Sequence, residues 1–403
     1  MSVACRTALL CSVSLAVSML ISPVSAEQTN VVTISIGYLT QAGDRHVPLS
    51  ILEPHPEDAG IQGARLAIKD NQTTGQFTGQ RFLLDEAVVP ADGDVAAAFR
   101  EMVNDGTRLI IVDLPAEQLL AVADLPEATE SLLFNIGARD DRLRNNQCRE
   151  NVLHTSPSRA MLADALAQYL AWKRWREIFL VVGKNPADMA YAQAVKRAVK
   201  HFGLEIVSEK EWTFEATSRR SDSGHVTAQQ EVPSFTQGAD FDVLIVADEG
   251  DEFGEYLSYR THLPRPVAGT HGLTPTAWHR VNEAWGSTQV QRRFHKLSGR
   301  WMNAEDYAAW VAVRSIGEAA TRTASGDVAQ VAAFIGSADF RLAAFKGVPV
   351  SFRAWNGQLR QPVLIVAPRI LVSVSPQRGF LHQFSTLDTL GYDSPESTCR
   401  LGH

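Results

Sequence analysis

The sequence predicts an α/β protein built from two doubly wound lobes, and three observations carry that expectation. The first is a strand–helix–strand unit near the start, with residues 31–39 reading as a strand, 59–75 as a helix and 81–89 as the next strand. The second is the recurrence of the same pattern after Cys148. The third is length: about 375 residues remain once an N-terminal leader is set aside, more than a single hydrophobic core organises.

The leader is residues 1–26. Arg6 is its one charge, an apolar stretch follows from about Ala8 to Ile21, and Val24-Ser25-Ala26 offers small residues to a signal peptidase. A bilayer span needs roughly 20 apolar residues, and this stretch is shorter. Cleavage after Ala26 and a periplasmic mature chain starting at Glu27 are therefore expected; a retained anchor is the alternative.

The elements follow in order. In the first helix, Ile61, Ala64, Ala67 and Ile68 share one face at helical spacing, with Asp58 as the expected N-cap and Gly75 as the stop. Residues 95–104 then read as a helix, 108–113 as a strand, 117–123 as a short helix and 131–135 as a strand. Strands that are continuous apolar runs alternating with helices predict a parallel sheet buried on both faces. After Cys148, helices at 159–172 and 187–202 alternate with strands at 177–182, 204–212 and 242–248, and a short strand is expected at 264–269. Residues 213–238 are polar and read as a surface loop. Two helices, 304–323 and 327–344, precede a change to antiparallel β. There, 348–353 and 359–367 flank the turn dipeptide Asn356-Gly357 as a hairpin, and 369–375 adds a strand.

Composition excludes several function classes. The net charge is −7, or −8 without Arg6, and no basic stripe exists to track a phosphate backbone, so no nucleic-acid partner is expected. Of four cysteines, Cys5 and Cys11 fall in the leader, leaving Cys148 and Cys399. In an oxidising compartment these two can pair, closing a long loop worth about 5 kcal/mol in the chain-entropy view; two buried free thiols are the alternative. The chain has no Gly-x-Ser-x-Gly elbow, phosphate loop, His-Glu-x-x-His or haem-attachment motif, and no histidine pair has zinc spacing. No enzymatic activity, cofactor or metal centre is expected. The acidic run Asp248-Glu-Gly-Asp-Glu252 could offer oxygen ligands to a cation, but it lacks the calcium-loop pattern and equally suits a helix start.

The strand, the Gly63-Ala-Arg-Leu-Ala-Ile68 helix, the segment Val152-Leu-His-Thr-Ser-Pro-Ser158 and the strand Ile178-Phe-Leu-Val-Val182 together resemble type I periplasmic binding proteins of the leucine/isoleucine/valine-binding branch. The closing stretches Phe345–Phe352 and Trp355–Gln358 are similar to that family's late crossover and hairpin. More narrowly, Asp70-Asn-Gln-Thr-Thr-Gly75, Ala268-Gly-Thr-His-Gly-Leu273, Phe352–Pro362, Gly379-Phe-Leu-His382, Asp388-Thr-Leu-Gly391 and Pro395-Glu-Ser-Thr-Cys399 resemble the ABC substrate-binding proteins associated with PQQ-dependent alcohol oxidation systems.

The resemblance implies two lobes, 27–150 with 271–348 and 151–270 with 349–403, joined by three crossovers. It implies a small-molecule ligand closed in the interlobe cleft by hinge motion, an ABC permease as membrane partner, and a monomer. The link to alcohol oxidation implies an alcohol-derived acid or aldehyde, or a related metabolite, as a candidate ligand. Branched-chain amino acid binding is one alternative, and a sensory or partner protein of a periplasmic oxidation system is the alternative from another class.

Relatives of this kind hold a ligand carboxylate in the loops after the third and fourth strands. Here those loops read Asp113-Leu-Pro-Ala116-Glu117 and Asn135-Ile-Gly-Ala138-Arg139-Asp140, without the expected hydroxyls. Arg139 could serve as a carboxylate fork; pairing with Asp140 or Asp141 is its alternative. At the position of the usual ammonium-binding acid stands His271, a poor partner for an ammonium when neutral, and the usual aromatic is replaced around Ala187-Asp188. The expected ligand contacts are Asp113, Ala116, Ala138, Arg139, Asp188, Glu249 and His271. Of Trp278, Trp285, Trp301 and Trp310, most are expected in the core, with one or two available as a cleft wall.

Overall fold

The structure is a computed structural model and describes residues 31–43, 55–213, 230–258 and 260–401. The leader and residues 214–229 of the polar segment lie outside the described residues. Five parallel strands form the first sheet in the order β2-β1-β3-β4-β5: β1 Val32–Gln41, β2 Gln80–Val89, β3 Leu109–Asp113, β4 Leu132–Asn135 and β5 Val152–His154. Four more parallel strands form the second in the order β7-β6-β8-β9: β6 Glu177–Val182, β7 Glu205–Glu211, β8 Val243–Ala247 and β9 Val267–Gly269.

Both sheets are covered on both faces, as their apolar runs require. Leu109 and Ile111 of β3 point into one core while Ile110 and Val112 point into another. In the second sheet Ile178 and Leu180 face one side and Phe179 and Val181 the other, with Ile245 and Val246 of β8 dividing in the same way. The period of two along a strand places alternate side chains on opposite faces, so a strand buried on both sides cannot show a polar alternation.

The helices α1 Ile61–Thr78, α2 Val95–Asn104, α3 Ala116–Ala123, α4 Arg159–Lys173 and α5 Pro186–His201 fill the crossovers. The larger core joins residues of β1–β5 to Ala277, Trp278 and the helices Ser287–Ser298, Ala304–Thr323 and Val328–Gly336. A second core joins α4, α5 and the second sheet to Val363, Ile365 and Leu390. Among the described residues the chain passes between these cores after Leu153, after Leu273 and after Leu359. Val350, Phe352 and Leu359 still pack in the first core, so the last passage falls later than the expected position near 348.

Several local expectations are corrected. Helix α1 starts after Gly60 and runs to Thr78, where Gly79 closes it at φ 67°. Asp58 does not cap it; its carboxylate accepts from Arg300 at 2.7 Å. Gly75 is inside the helix, where a Cβ would lie 2.5 Å from the Gln80 carbonyl oxygen. Gly63 has a similar reason to lack a side chain, because an added Cβ would sit 1.9 Å from the Asp306 carbonyl oxygen of the neighbouring helix. The helix expected over 327–344 ends at Gly336, since the chain turns there and Leu342 bridges to Val350. The hairpin shrinks to β11 Ser351–Phe352 paired with β12 Leu359–Arg360. Beyond it, β13 Val363–Ala367 pairs with β14 Ile370–Ser375 and with β10 Thr274–Thr276 in a third, antiparallel sheet. Strands β5 and β10 and the helix Ser287–Ser298 add to the elements read from sequence.

Cys148 and Cys399 are bonded, with Cα atoms 6.0 Å apart and a sequence separation of 251. The tail that ends at this bridge is anchored throughout. Arg353, 1% exposed, donates to Asp388 Oδ1 at 2.9 Å and to the carbonyls of Leu387 and Leu390. The Gly391 N–H donates to Asp164 of α4 at 2.7 Å, and Ser397 Oγ donates to the Arg144 carbonyl at 2.9 Å. No described helix is long and apolar enough to cross a membrane.

Candidate functional site

A cleft of about 900 Å³ opens where the carboxyl ends of the two parallel sheets face each other. One wall is made by Thr40 and Gln41 at the end of β1, the 113–117 loop after β3 and the 137–140 loop after β4. The other wall comes from Asp248, Glu249 and Asp251 after β8, Gly269-Thr-His271 after β9, and the first turns of α4 and α5. Parallel strands direct their following loops to one edge, so the fold itself gathers these residues.

Six of the seven residues expected at the ligand line this cleft: Asp113, Ala116, Ala138, Arg139, Glu249 and His271. Asp188 does not. It is 1% exposed and turned inward, where Oδ1 accepts the N–H groups of Glu249 at 2.6 Å and Gly250 at 3.2 Å and Oδ2 accepts that of Asn185. It closes the capping box of α5 and holds the 248–252 loop in place.

Asp113 ends β3. The Tyr38 hydroxyl lies 3.3 Å from Asp113 Oδ2 and 3.3 Å from the Ala59 carbonyl, so it donates to one at a time. Gly137 faces Asp113 Oδ1 so closely that a Cβ there would come within 2.5 Å, which is why this loop position is glycine. Burial, then the charge of Glu305, pushes the Asp113 carboxyl up to about 6. No lysine, arginine or histidine pairs with it among the described residues.

The arginines are all committed. Arg139 pairs with Glu305 at 2.8 Å, not with Asp140 or Asp141, so the expected carboxylate fork is filled by the protein's own acid. Arg142 donates to Glu117 at 2.7 Å and to Gln147 at 2.7 Å. Arg159, in the first turn of α4, donates to Glu249 at 2.7 Å and to Asp140 at 3.1 Å, tying the second wall to the first. Arg159 and Glu249 are 11% and 14% exposed, so that pair costs more to open than Arg142–Glu117, whose acid is 79% exposed.

His271 Nε2 lies 3.0 Å from Asp251 Oδ1, and Nδ1 lies 3.0 Å from Thr270 Oγ1. An acceptor carboxylate at Nε2 requires the proton there. Asp248, Asp251 and His271 each bring a ligand atom within 4.8 Å of the others. Asp248 is already occupied, however: its carboxylate accepts the N–H groups of Glu252, Phe253 and Gly254 at 2.7–3.0 Å. That arrangement is the helix-start role rather than a cation cage.

Among the cleft residues that sequence reasoning missed, two matter most for its chemistry. Arg159 follows the N-cap Ser158, and Tyr191 sits in the second turn of α5. Tyr191 is 2% exposed and lines the cleft, yet its hydroxyl has no hydrogen-bond partner among the described residues. Burial and the charge of Glu249 push its phenol upward, so it stays a neutral donor. Of the tryptophans, Trp278 and Trp310 are core while Trp285 and Trp301 are 47% exposed, and none lines the cleft.

Comparison with known proteins follows from this geometry. Residues 56–242 match a family described as "Periplasmic binding protein". No curated protein matches the chain. A periplasmic binding protein from Burkholderia mallei is 16% identical with TM-score 0.63, over 92% of this chain and 99% of that one. A branched-chain amino acid ABC transporter periplasmic ligand-binding protein from Burkholderia xenovorans is 14% identical with TM-score 0.66, over 85% and 95%. A solute-binding protein from R. palustris, solved with benzoate, is 14% identical with TM-score 0.63, over 92% and 100%. The fold is that of type I periplasmic binding proteins.

Proposed function

We propose that this chain is the extracytoplasmic solute-binding component of an ABC importer, taking a small molecule between two lobes that close by hinge motion. The observation that carries the reading is the cleft of about 900 Å³ at the facing carboxyl ends of two parallel sheets, with the chain passages after Leu153 and Leu273 leading to its lining residues Arg159 and Thr274. That volume suits one metabolite-sized ligand. The lobes are 27–150 with 271–359 and 151–270 with 360–403, the mature chain begins at Glu27 in the periplasm, and the partner is a membrane permease. Its resemblance to binding proteins associated with PQQ-dependent alcohol oxidation makes that system the setting in which the ligand is sought. Asp113, Ala116, Ala138, Arg139, Glu249 and His271 are the proposed ligand contacts, to which the structure adds Tyr191.

A branched-chain amino acid is the second reading, supported by the names of solved structures that share the fold. It meets a difficulty in the cleft, because each guanidinium there is already paired with a carboxylate. A thermal-shift screen of the mature protein against amino acids, short organic acids, alcohols and amines separates the readings. A ligand at a hundred times its Kd stabilises the folded state by about 2.7 kcal/mol. Stabilisation by a non-amino-acid metabolite is the expected result. Stabilisation by leucine alone at micromolar concentration would establish the second reading instead.

A further inference from the structure

We infer that the ligand of this cleft presents an amine cation and carries no carboxylate, with Asp113 as the group that receives the cation and the Tyr191 hydroxyl as a second polar contact. This rests on the carrier reading above and names the chemical class of its ligand.

The first observation is the charge of the walls. Among the described residues lining the cleft, six carboxylates (Asp113, Glu117, Asp140, Asp248, Glu249 and Asp251) face three guanidiniums. Each guanidinium is paired with an acid at 2.7–2.8 Å, so an incoming carboxylate would meet arginines whose charge is already matched. His271, the remaining base, already faces Asp251 at 3.0 Å. Walls of one sign concentrate ligands of the opposite sign and repel those of the same sign. The first turn of α3 could still offer backbone N–H groups, since Pro115 supplies no side-chain cap. Glu117 in that same turn and Asp113 just before it place two negative charges beside those donors.

The second observation is independent of charge. Tyr191 is 2% exposed, lines the cleft and has a hydroxyl without a partner among the described residues. A buried polar group left unpaired costs stability, and such a group is kept where a ligand completes it. The third is the way Asp113 is presented. It has hydroxyl neighbours in Tyr38 and Thr40, a glycine kept clear of its other oxygen at Gly137, and no cationic partner among the described residues. The charged groups around it are Glu305 and Asp306 from the helix Ala304–Thr323, and both are acids. A ligand ammonium would be the missing counter-charge.

A proton linkage follows. In the free protein the Asp113 carboxyl titrates at about 6. An amine that binds the carboxylate must displace that proton at lower pH. Affinity should therefore rise about tenfold between pH 5 and pH 7.5 and then level, with proton release on binding below pH 6.

The test is isothermal titration calorimetry of the mature protein with n-butylamine, 1,4-diaminobutane, butyrate, butanol and leucine at pH 5.0 and 7.5. The expected result is binding of one or both amines, tighter at pH 7.5 by about tenfold, with butyrate and leucine weaker or silent. Asp113→Asn should weaken amine binding by at least tenfold and remove the pH dependence. Tyr191→Phe should weaken binding about three- to tenfold and leave the pH dependence in place. Thermal melts show whether each variant is folded. Tighter binding of butyrate, butanol or leucine than of either amine overturns the inference and leaves the carrier reading standing. Amine binding with a flat pH profile, or unchanged in Asp113→Asn, also overturns it. Silence from all five probes counts against the inference and the carrier reading together.

Discussion

Replacing Asp113 by Asn should make the protein more stable at neutral pH. Its carboxyl titrates at about 6 in the folded protein against an ordinary 3.8. Between those values the folded state keeps a proton that the unfolded chain has released, so stability falls as pH rises through this window. The difference, about 2 pH units, corresponds to roughly 3 kcal/mol above pH 7 and to less than about 1 kcal/mol at pH 4. Asn keeps an acceptor for the Tyr38 hydroxyl at 3.3 Å and cannot ionise, so the substitution removes the cost without opening a cavity. For a chain of this size the gain is on the order of 4 °C in Tm at pH 7.5 and about 1 °C at pH 4. Differential scanning calorimetry of the two proteins at both pH values reads it directly. A loss of stability at pH 7.5, or an equal shift at the two pH values, would refute the reasoning. A residue whose removal stabilises the fold while weakening binding is what a functional cleft leads one to expect.

Further perturbations follow from the packing. Removing the Cys148–Cys399 bridge, by reduction or by the double change to Ser, should lower the unfolding free energy by about 2–5 kcal/mol in a urea titration, given the sequence separation of 251 between the cysteines. Gly63→Ala puts a Cβ where the Asp306 carbonyl oxygen lies 1.9 Å away, forcing α1 off its neighbouring helix; a cost of about 1–3 kcal/mol is expected in the same assay. Arg353→Ala leaves the buried Asp388 with Arg360 alone and frees the Leu387 and Leu390 carbonyls; a loss of about 3 kcal/mol and faster proteolysis of the 376–401 tail are expected.

Strands whose two faces are both covered were legible, because Leu109–Asp113 and Val243–Ala247 cannot be amphipathic and so stand out as apolar runs. The helix Ser287–Ser298 was not, since only Val290, Phe294 and Leu297 interrupt a polar stretch that buries one narrow face. Strand β10 is three residues with a proline at its centre, a pattern that argues against a strand until β13 is seen beside it.

The cleft divides in the same way. Asp113, Arg139, Glu249 and His271 were found because they end strands or begin the loops after them. Their partners were hidden: Glu305 lies 166 residues beyond Arg139, and Asp251 reaches His271 only through the fold of the 248–252 loop. Asp188 read as a cleft residue because it stands where relatives carry a ligand-flanking aromatic, yet N–H groups from Asn185, Glu249 and Gly250 draw it inward. Tyr191 lies on the buried stripe of α5 and reads as core; only its unpaired hydroxyl sets it apart.

Small-angle X-ray scattering of the mature protein, alone and saturated with the tightest ligand of the thermal-shift screen, tests the central claim most directly. Closure of two lobes over the cleft predicts a smaller radius of gyration with ligand bound and a return to the open value when the ligand is dialysed away. A saturated protein whose scattering is identical to that of the free chain would contradict the account.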